Sequence, residues 1–182
     1  MPTSVHANKE DLEKTDSCEM RVPYFPWFMD HVKTSIIKRS FTSLYFTVGL
    51  VEEAAELSEE LKKRGENVEA VVGEVGDVCW YVYGLCQSLD NIIPQCDNSQ
   101  DYDSDSDLLS VVGQLCGSIK KWSRGDQTWD TFQPRVQTHV SRVLSTVSDL
   151  SPVPLEQAMK SNIEKIRDRR ARGVVRGDGN TR

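Results

Sequence analysis

Apolar residues recur at helical spacing through nearly all of the chain that follows Pro26, and this rhythm constrains the fold more than any other feature. In one segment they are Leu50, Ala54, Leu57 and Leu61, at steps of four, three and four residues. Such steps place side chains on one face of an α-helix. The sequence therefore predicts an all-α protein, built as an antiparallel bundle of amphipathic helices.

Three helices are predicted in the first half of the chain. The first covers Trp27 to about Ser40, and a break at residues 41–47 precedes the second, which runs from Val48 to Lys63 and stops at Gly65. The third covers Val68 to Leu89. Because only a short turn joins the second and third helices, we expect them to form an antiparallel hairpin.

A second pair of apolar stripes follows in the second half of the chain and predicts a tandem, degenerate copy of this hairpin. Four extra residues, in the region from Asp126 to Pro134, would lie in its turn. When the stripes are aligned, the four acids of the first copy have no acidic counterpart in the second. The residues that correspond to Glu53, Glu56, Glu74 and Asp77 are Gln114, Gly117, His139 and Arg142.

The chain divides into an N-terminal segment and one helical domain. Residues 1–22 are predicted to be disordered, and residues 23–182 to form a single domain. Alternating aspartates near residue 101 lack the glycine and glutamate of a calcium-binding loop, so they indicate a solvated linker. The domain comprises an acid-bearing hairpin at 23–93, an acidic linker at 94–107, a degenerate hairpin at 108–152, and a basic C-terminal helix and tail at 153–182.

Composition and charge exclude several classes of function. The net charge of -6 argues against general affinity for nucleic acid, which depends on basic residues that face phosphates. No apolar run approaches the roughly 18 residues that span a bilayer, and the N-terminal segment lacks the apolar part of a secretory signal. The five cysteines include no Cys-x-x-Cys pair, which favours a reducing compartment. We expect a cytoplasmic protein that binds neither nucleic acid nor membranes.

Four acids lie at matching positions of the first hairpin. At about 100° per residue, Glu53 and Glu56 lie roughly 300° and 240° around their helix from Leu50, and Glu74 and Asp77 lie at the same two angles from Val71 in the next helix. Glu52 falls on the far side. A single glutamate on an amphipathic helix is most often solvated. In matched register, however, the four carboxylates would converge on one small volume.

Four converging carboxylates require cations or protons. Two unit charges about 5 Å apart repel by roughly 3 kcal/mol at an effective dielectric constant near 20. Oxygen ligands without His or Cys select hard ions, Mg²⁺ first and Mn²⁺ or Ca²⁺ after it. A di-iron carboxylate site would need Glu-x-x-His on two helices, and this chain has no histidine at those positions.

Three segments of the chain resemble the all-α nucleoside triphosphate pyrophosphohydrolases, a superfamily that includes MazG-like enzymes, dCTP pyrophosphatases and dimeric dUTPases. They cover under half of the chain. The segment at 49–57, Gly-Leu-Val-Glu-Glu-Ala-Ala-Glu-Leu, is similar to the family's E-x-x-E helix, and the segment at 73–81, Gly-Glu-Val-Gly-Asp-Val-Cys-Trp-Tyr, to its E-x-x-D helix. The third, from Asn162 to Arg182, resembles a phosphate-facing C-terminal segment.

The resemblance implies an activity and a set of site residues. It implies Mg²⁺-dependent hydrolysis of a nucleoside triphosphate to the monophosphate and pyrophosphate, by a homodimer or higher oligomer. One carboxylate of the set that does not bind the metal, Glu53 or Glu56, would serve as general base. The metal-binding and catalytic residues would be Glu53, Glu56, Glu74 and Asp77, and the substrate-binding residues Tyr81, Asn162, Lys165, Arg169 and Arg172, with Arg176 and Arg182 as weaker candidates.

Two departures keep alternatives open. The final loop reads Gly-Asp-Gly-Asn-Thr-Arg where relatives more often carry Gly-Ser-Gly-Asp-Asn-Arg, and the second hairpin is long and has no acid at the four matching positions. The alternatives are a phosphoribosyl-ATP pyrophosphohydrolase-like enzyme and a non-catalytic helical interaction module. Base and sugar preference is not predicted, although several aromatic residues are candidates for the pocket wall: Tyr24, Phe25, Trp27, Phe28, Trp80 and Trp122.

Overall fold

The computed structural model describes residues 25–35, 43–63, 67–90, 92–94 and 107–174. Within these ranges the chain is all-α and forms a helical bundle, as predicted. The elements are α1 (Pro26–Ser35), α2 (Ser43–Lys62), α3 (Val68–Ser88), α4 (Leu108–Ser123), α5 (Trp129–Leu150) and α6 (Leu155–Ala171). None of the described helices is long and apolar enough to cross a membrane.

The helices pack as two hairpins with α6 laid against the first. The helices α2 and α3 pair with each other, and α4 and α5 pair across a short turn. The first hairpin meets the second through α2 against α4 and α3 against α5, while α1 and α6 both contact α3. The central position of α3 explains its composition, because buried Val, Leu and Cys side chains occupy most of its circumference.

The start of α3 has a local cause. Asn67 precedes the helix, and its side-chain Oδ1 accepts a hydrogen bond from the backbone N–H of Ala70 at 3.0 Å. This cap satisfies one of the backbone donors that every helix leaves open at its N-terminus. The predicted start at Val68 is confirmed, and the helix ends at Ser88, one residue before the predicted end.

The predicted break before the second helix is wrong over residues 43–47, because α2 already begins at Ser43. Phe46 is buried one turn before Leu50 and so extends the apolar stripe. The ring of Phe46 lies against Gly84 of α3, where a Cβ atom would come within 2.1 Å of the ring. Contact with α3 therefore stabilises a helical start that the local sequence does not indicate.

The turn between α4 and α5 is shorter than predicted, since α5 begins at Trp129 and Pro134 lies inside the helix. Proline lacks the backbone donor that a helix interior uses, so it costs stability there. Packing of aromatic rings offsets that cost: Phe132 is fully buried and stacks on Trp122 of α4 with ring centroids 4.6 Å apart. The aromatic contact, rather than the proline, decides where α5 begins.

Some predictions concern residues outside the described ranges. They are the N-terminal segment at 1–22, the end of the first helix beyond Ser35, Gly65, most of the linker at 95–106, Tyr24, and the tail that carries Arg176 and Arg182.

Candidate metal centre

Three of the four predicted carboxylates meet at the interface of α2 and α3. One carboxylate oxygen from each of Glu53, Glu56 and Glu74 lies within 4.8 Å of the other two. Glu74 is only 2% exposed, whereas Glu56 faces solvent. The three oxygens thus surround a candidate site at the edge of the α2–α3 interface, with a buried ligand on one side and a solvent-exposed ligand on the other.

The apolar stripes bring these acids together. Leu50 and Leu57 of α2 and Val71 and Val75 of α3 are buried in one core. When these faces pack, the flanks that carry the acids turn toward each other, because residues three apart on a helix share a side. The convergence predicted from helical angles is confirmed for Glu53, Glu56 and Glu74.

Glu53 shows the electrostatic cost of this convergence. Burial raises the pKa of its carboxyl to about 8, and the negative charges of Asp77, Glu74 and Glu56 add to the rise. The cation of Lys165 acts in the opposite direction and lowers it. A carboxyl group in such a setting holds a proton at neutral pH unless a cation joins the cluster.

Asp77 follows Glu74 by one turn, but its carboxylate is held by α6. Its Oδ1 accepts a hydrogen bond from Nδ2 of Asn162 at 2.6 Å, and its Oδ2 forms an ion pair with Nζ of Lys165. Asp77 is therefore outside the group of three converging oxygens, although its charge still acts on Glu53. The structure divides the predicted quartet into a trio and a fourth acid with two partners of its own.

Gly76 permits the approach of α6. A Cβ atom at this position would lie 2.9 Å from the backbone oxygen of Ala158 and 2.9 Å from Cβ of Asn162. Any larger side chain would push α6 away from α3 and withdraw Asn162 and Lys165 from Asp77. The sequence contained this signal as the glycine between Glu74 and Asp77, but not the identity of the helix that packs there.

Tyr81 lies one turn beyond Asp77 and across from α2. A Cβ atom at Gly49 would fall 2.0 Å from its ring, so the ring rests directly on the backbone of α2. Burial raises the pKa of the Tyr81 hydroxyl, as do its contact with Tyr45 and the negative charges of Glu53 and Glu52. Tyr81 is therefore a neighbour of Glu53, and its predicted contact with substrate stays a prediction.

Tyr45 was not predicted as a site residue. Its hydroxyl lies 3.5 Å from that of Tyr81, and its ring centroid 5.9 Å from the Tyr81 ring. Its side chain is 39% exposed, so an open aromatic surface borders the carboxylates. Sequence reasoning missed Tyr45 because it lay within the predicted break at 41–47, before the predicted start of α2.

The predicted phosphate contacts on α6 differ in their surroundings. Asn162 is 2% exposed and donates to Asp77, and Lys165 is paired with the same carboxylate. Arg169 lies one turn beyond Lys165, and its buried Nη2 has no hydrogen-bond partner among the described residues. Arg172 ends the helix at the surface and forms an ion pair with Asp168 at 2.7 Å.

The donor set suits a hard divalent cation. All three converging groups are carboxylates, which are the ligands that Mg²⁺ and Mn²⁺ prefer. Cys79 and Cys86 are poor metal ligands, because a metal ion binds the deprotonated thiolate. Burial raises the pKa of each of these thiols to about 12. The trio is thus a group that could hold such an ion.

Comparison with known proteins finds no relative of this chain. No family model matches the chain, and no curated protein or solved structure matches it. A functional proposal for this protein therefore has to begin from the residues of the site.

Proposed function

We propose that this protein is a Mg²⁺-dependent hydrolase that converts nucleoside or deoxynucleoside triphosphates to the monophosphate and pyrophosphate. The observation that carries the proposal is the convergence of Glu53, Glu56 and Glu74 within 4.8 Å, next to an Asp77 that is paired with a lysine. Carboxylates beside cations are what a site needs to hold a metal ion and a polyphosphate together. The order of the motifs in the sequence supports the same activity.

The metal ion would be held by the acidic trio, with Asp77 as a further carboxylate within its electrostatic field. Bound Mg²⁺, or Mn²⁺ in its place, would supply neutralisation of the triphosphate charge and electrophilic activation of the anhydride.

The protein's own residues supply the proton transfer. Water adds to the α-phosphorus, the bond from this phosphorus to the bridging oxygen breaks, and pyrophosphate leaves. The attacking water must lose a proton, and whichever of Glu53 and Glu56 does not bind the metal ion would accept it. The products are then the nucleoside monophosphate, pyrophosphate and one proton.

Residues of α6 and α3 would position the substrate. Arg169 has a buried guanidinium nitrogen without a hydrogen-bond partner, and a phosphate oxygen would satisfy it. Lys165 carries a charge beside the trio that a triphosphate can share with Asp77. The rings of Tyr81 and Tyr45 offer a surface for the sugar or base.

The direct test replaces single acids and measures pyrophosphate release with Mg²⁺. We expect Glu53→Gln and Glu74→Gln each to lower turnover by about 100-fold or more, because each removes a charged ligand or the base. Glu52→Gln is the matched control: Glu52 is the exposed neighbour of Glu53 and lies outside the trio. Near-normal turnover in both trio variants would contradict the proposal.

A panel of ribonucleoside and deoxynucleoside triphosphates and phosphoribosyl-ATP identifies the substrate. Pyrophosphate as the product supports the proposed bond cleavage, and orthophosphate alone would indicate a different hydrolase. No product with any nucleotide would favour a non-catalytic interaction module. We propose further that the protein acts in the cytoplasm as a homodimer or higher oligomer, with nucleotide-pool housekeeping as its role.

A further inference from the structure

The second hairpin carries a basic face, formed by Arg135, His139 and Arg142 of α5. These residues are spaced four and three apart and so lie on one side of the helix. Nη1 of Arg142 donates a hydrogen bond to Oε1 of Gln114 on α4 at 2.8 Å, so the face borders α4. It belongs to helices that contribute nothing to the acidic trio.

The charges around His139 are positive. Burial lowers the pKa of its imidazole, and the cations of Arg142 and Arg135 lower it further. The helix α4 contains no acidic residue, and α5 has only Asp130 and Asp149, close to its ends. A basic face without acids is an electrostatic site for an anion.

The two arginines are available to a ligand. Within the part of the chain that the structure describes, neither Arg135 nor Arg142 forms an ion pair. Other cations of the bundle do, as Arg124 does with Asp126 and Lys160 with Glu156. The basic face thus keeps the charges of both arginines without an acidic partner among the described residues.

There is also room and an open hydrogen-bonding atom at this face. A Cβ atom at Gly117, one turn after Gln114 on α4, would meet no atom within 4 Å. Nδ1 of His139 is buried and has no hydrogen-bond partner among the described residues. An anion beside His139 would favour the protonated imidazole, which donates hydrogen bonds from both ring nitrogens.

We propose that the basic face binds a phosphate-class anion directly, without a metal ion. The ligand would be inorganic phosphate, pyrophosphate or the phosphate group of a nucleotide, bound by the guanidinium groups of Arg135 and Arg142 and by His139. This site is separate from the proposed hydrolytic centre and goes beyond its function. It would give the protein a second phosphate-recognising position on the hairpin that carries no acidic cluster.

The experiment titrates the protein with inorganic pyrophosphate in EDTA and follows the histidine Cε1–H signals by NMR. His139→Gln identifies the signal. We expect pyrophosphate to raise the pKa of His139 by about one unit, since a neighbouring dianion favours the imidazolium. Orthophosphate and a nucleoside monophosphate, titrated separately, distinguish the sources of the phosphate group.

Two double variants test the residues. Arg135→Gln/Arg142→Gln should weaken pyrophosphate affinity at least tenfold and, without ligand, raise the pKa of His139. Arg124→Gln/Lys160→Gln removes two cations that are already paired with acids, and its affinity should change less than twofold. Circular dichroism confirms that each variant is folded.

Three outcomes would overturn the proposal: no shift of the His139 signal at millimolar pyrophosphate, the same loss of affinity in both double variants, or binding that persists in the arginine variant. Because EDTA removes the metal ion and no turnover is required, these outcomes are independent of whether the protein hydrolyses nucleotides.

Discussion

Glu53 links the stability of the protein to pH. Its carboxyl has a folded-state pKa of about 8 against 4.5 ordinarily, so between these values the folded chain holds a proton that the unfolded chain has lost. Stability must therefore fall as pH rises through this window. In EDTA we expect wild type to lose roughly 2 kcal/mol between pH 5 and pH 9, while Glu53→Gln loses much less.

Denaturant unfolding at several pH values measures this effect. Addition of Mg²⁺ should flatten the wild-type profile, because a cation replaces the proton in the cluster. Parallel profiles for wild type and Glu53→Gln in EDTA would contradict the assignment of Glu53 to a crowded acidic centre.

Lys165 gives a second prediction at this scale. Lys165→Met removes the ion pair with Asp77 and leaves that half-buried carboxylate with one hydrogen bond. We expect turnover to fall about tenfold or more, since truncating one partner of a partly buried charge pair disturbs the other. Lys160→Met is the control, because its pair with Glu156 is exposed. Equal activity in the two variants would remove Lys165 from the site.

At the scale of residues, the sequence could predict that acids of α2 and α3 converge, but it included Asp77 among them, which the structure pairs with α6 instead. Helical angles alone placed Glu53, Glu56 and Glu74 on facing flanks. The pairing of Asp77 with Asn162 and Lys165 could not be predicted, because it joins positions 85 and 88 residues apart. Nothing in local spacing indicates how one helix lies on another.

Gly76 provides the test at the scale of elements. Gly76→Ala forces a Cβ atom to within 2.9 Å of the α6 backbone, so we expect a loss of about 1–3 kcal/mol in stability together with reduced turnover. Gly73→Ala, one turn earlier in α3, meets no atom within 4 Å and should instead stabilise the helix by up to about 1 kcal/mol. Thermal unfolding of the two variants measures the difference, and a stable, fully active Gly76→Ala would refute tight docking at this point.

The helices themselves were predictable wherever their own apolar stripes determine them. The stripe of α3 and its cap at Asn67 lie within one segment, and its start was predicted correctly. The early start of α2 and the position of Pro134 inside α5 were missed, because both depend on aromatic packing against another helix. Local sequence does not contain the partner that stabilises those turns.

For the whole molecule, metal binding and folding should be coupled. A ligand that binds only the folded state stabilises it by about 2.7 kcal/mol when present at 100 times its dissociation constant. We therefore expect Mg²⁺ to raise the melting temperature of wild type and to have little effect on a Glu53→Gln/Glu56→Gln/Glu74→Gln variant. Differential scanning calorimetry with Mg²⁺ and with EDTA measures both, and an equal rise in both proteins would exclude the trio as the binding site.

The all-α class and bundle architecture followed from periodicity alone, because one helical rhythm runs through the chain. The duplication of the hairpin stays a prediction. The homodimer also stays a prediction, and light scattering in solution will measure it.

The contact between Asp77 and Lys165 also has a consequence for the timing of synthesis. The acidic hairpin leaves the ribosome first, and Lys165 follows 88 residues after Asp77. At about 5–20 residues per second, the ribosome needs roughly 4–18 seconds to extend the chain from Asp77 to Lys165, and the ion pair cannot form earlier. During that interval the growing chain exposes Asp77 without the helix that pairs with it, so dissolved cations are the partners available to screen its charge.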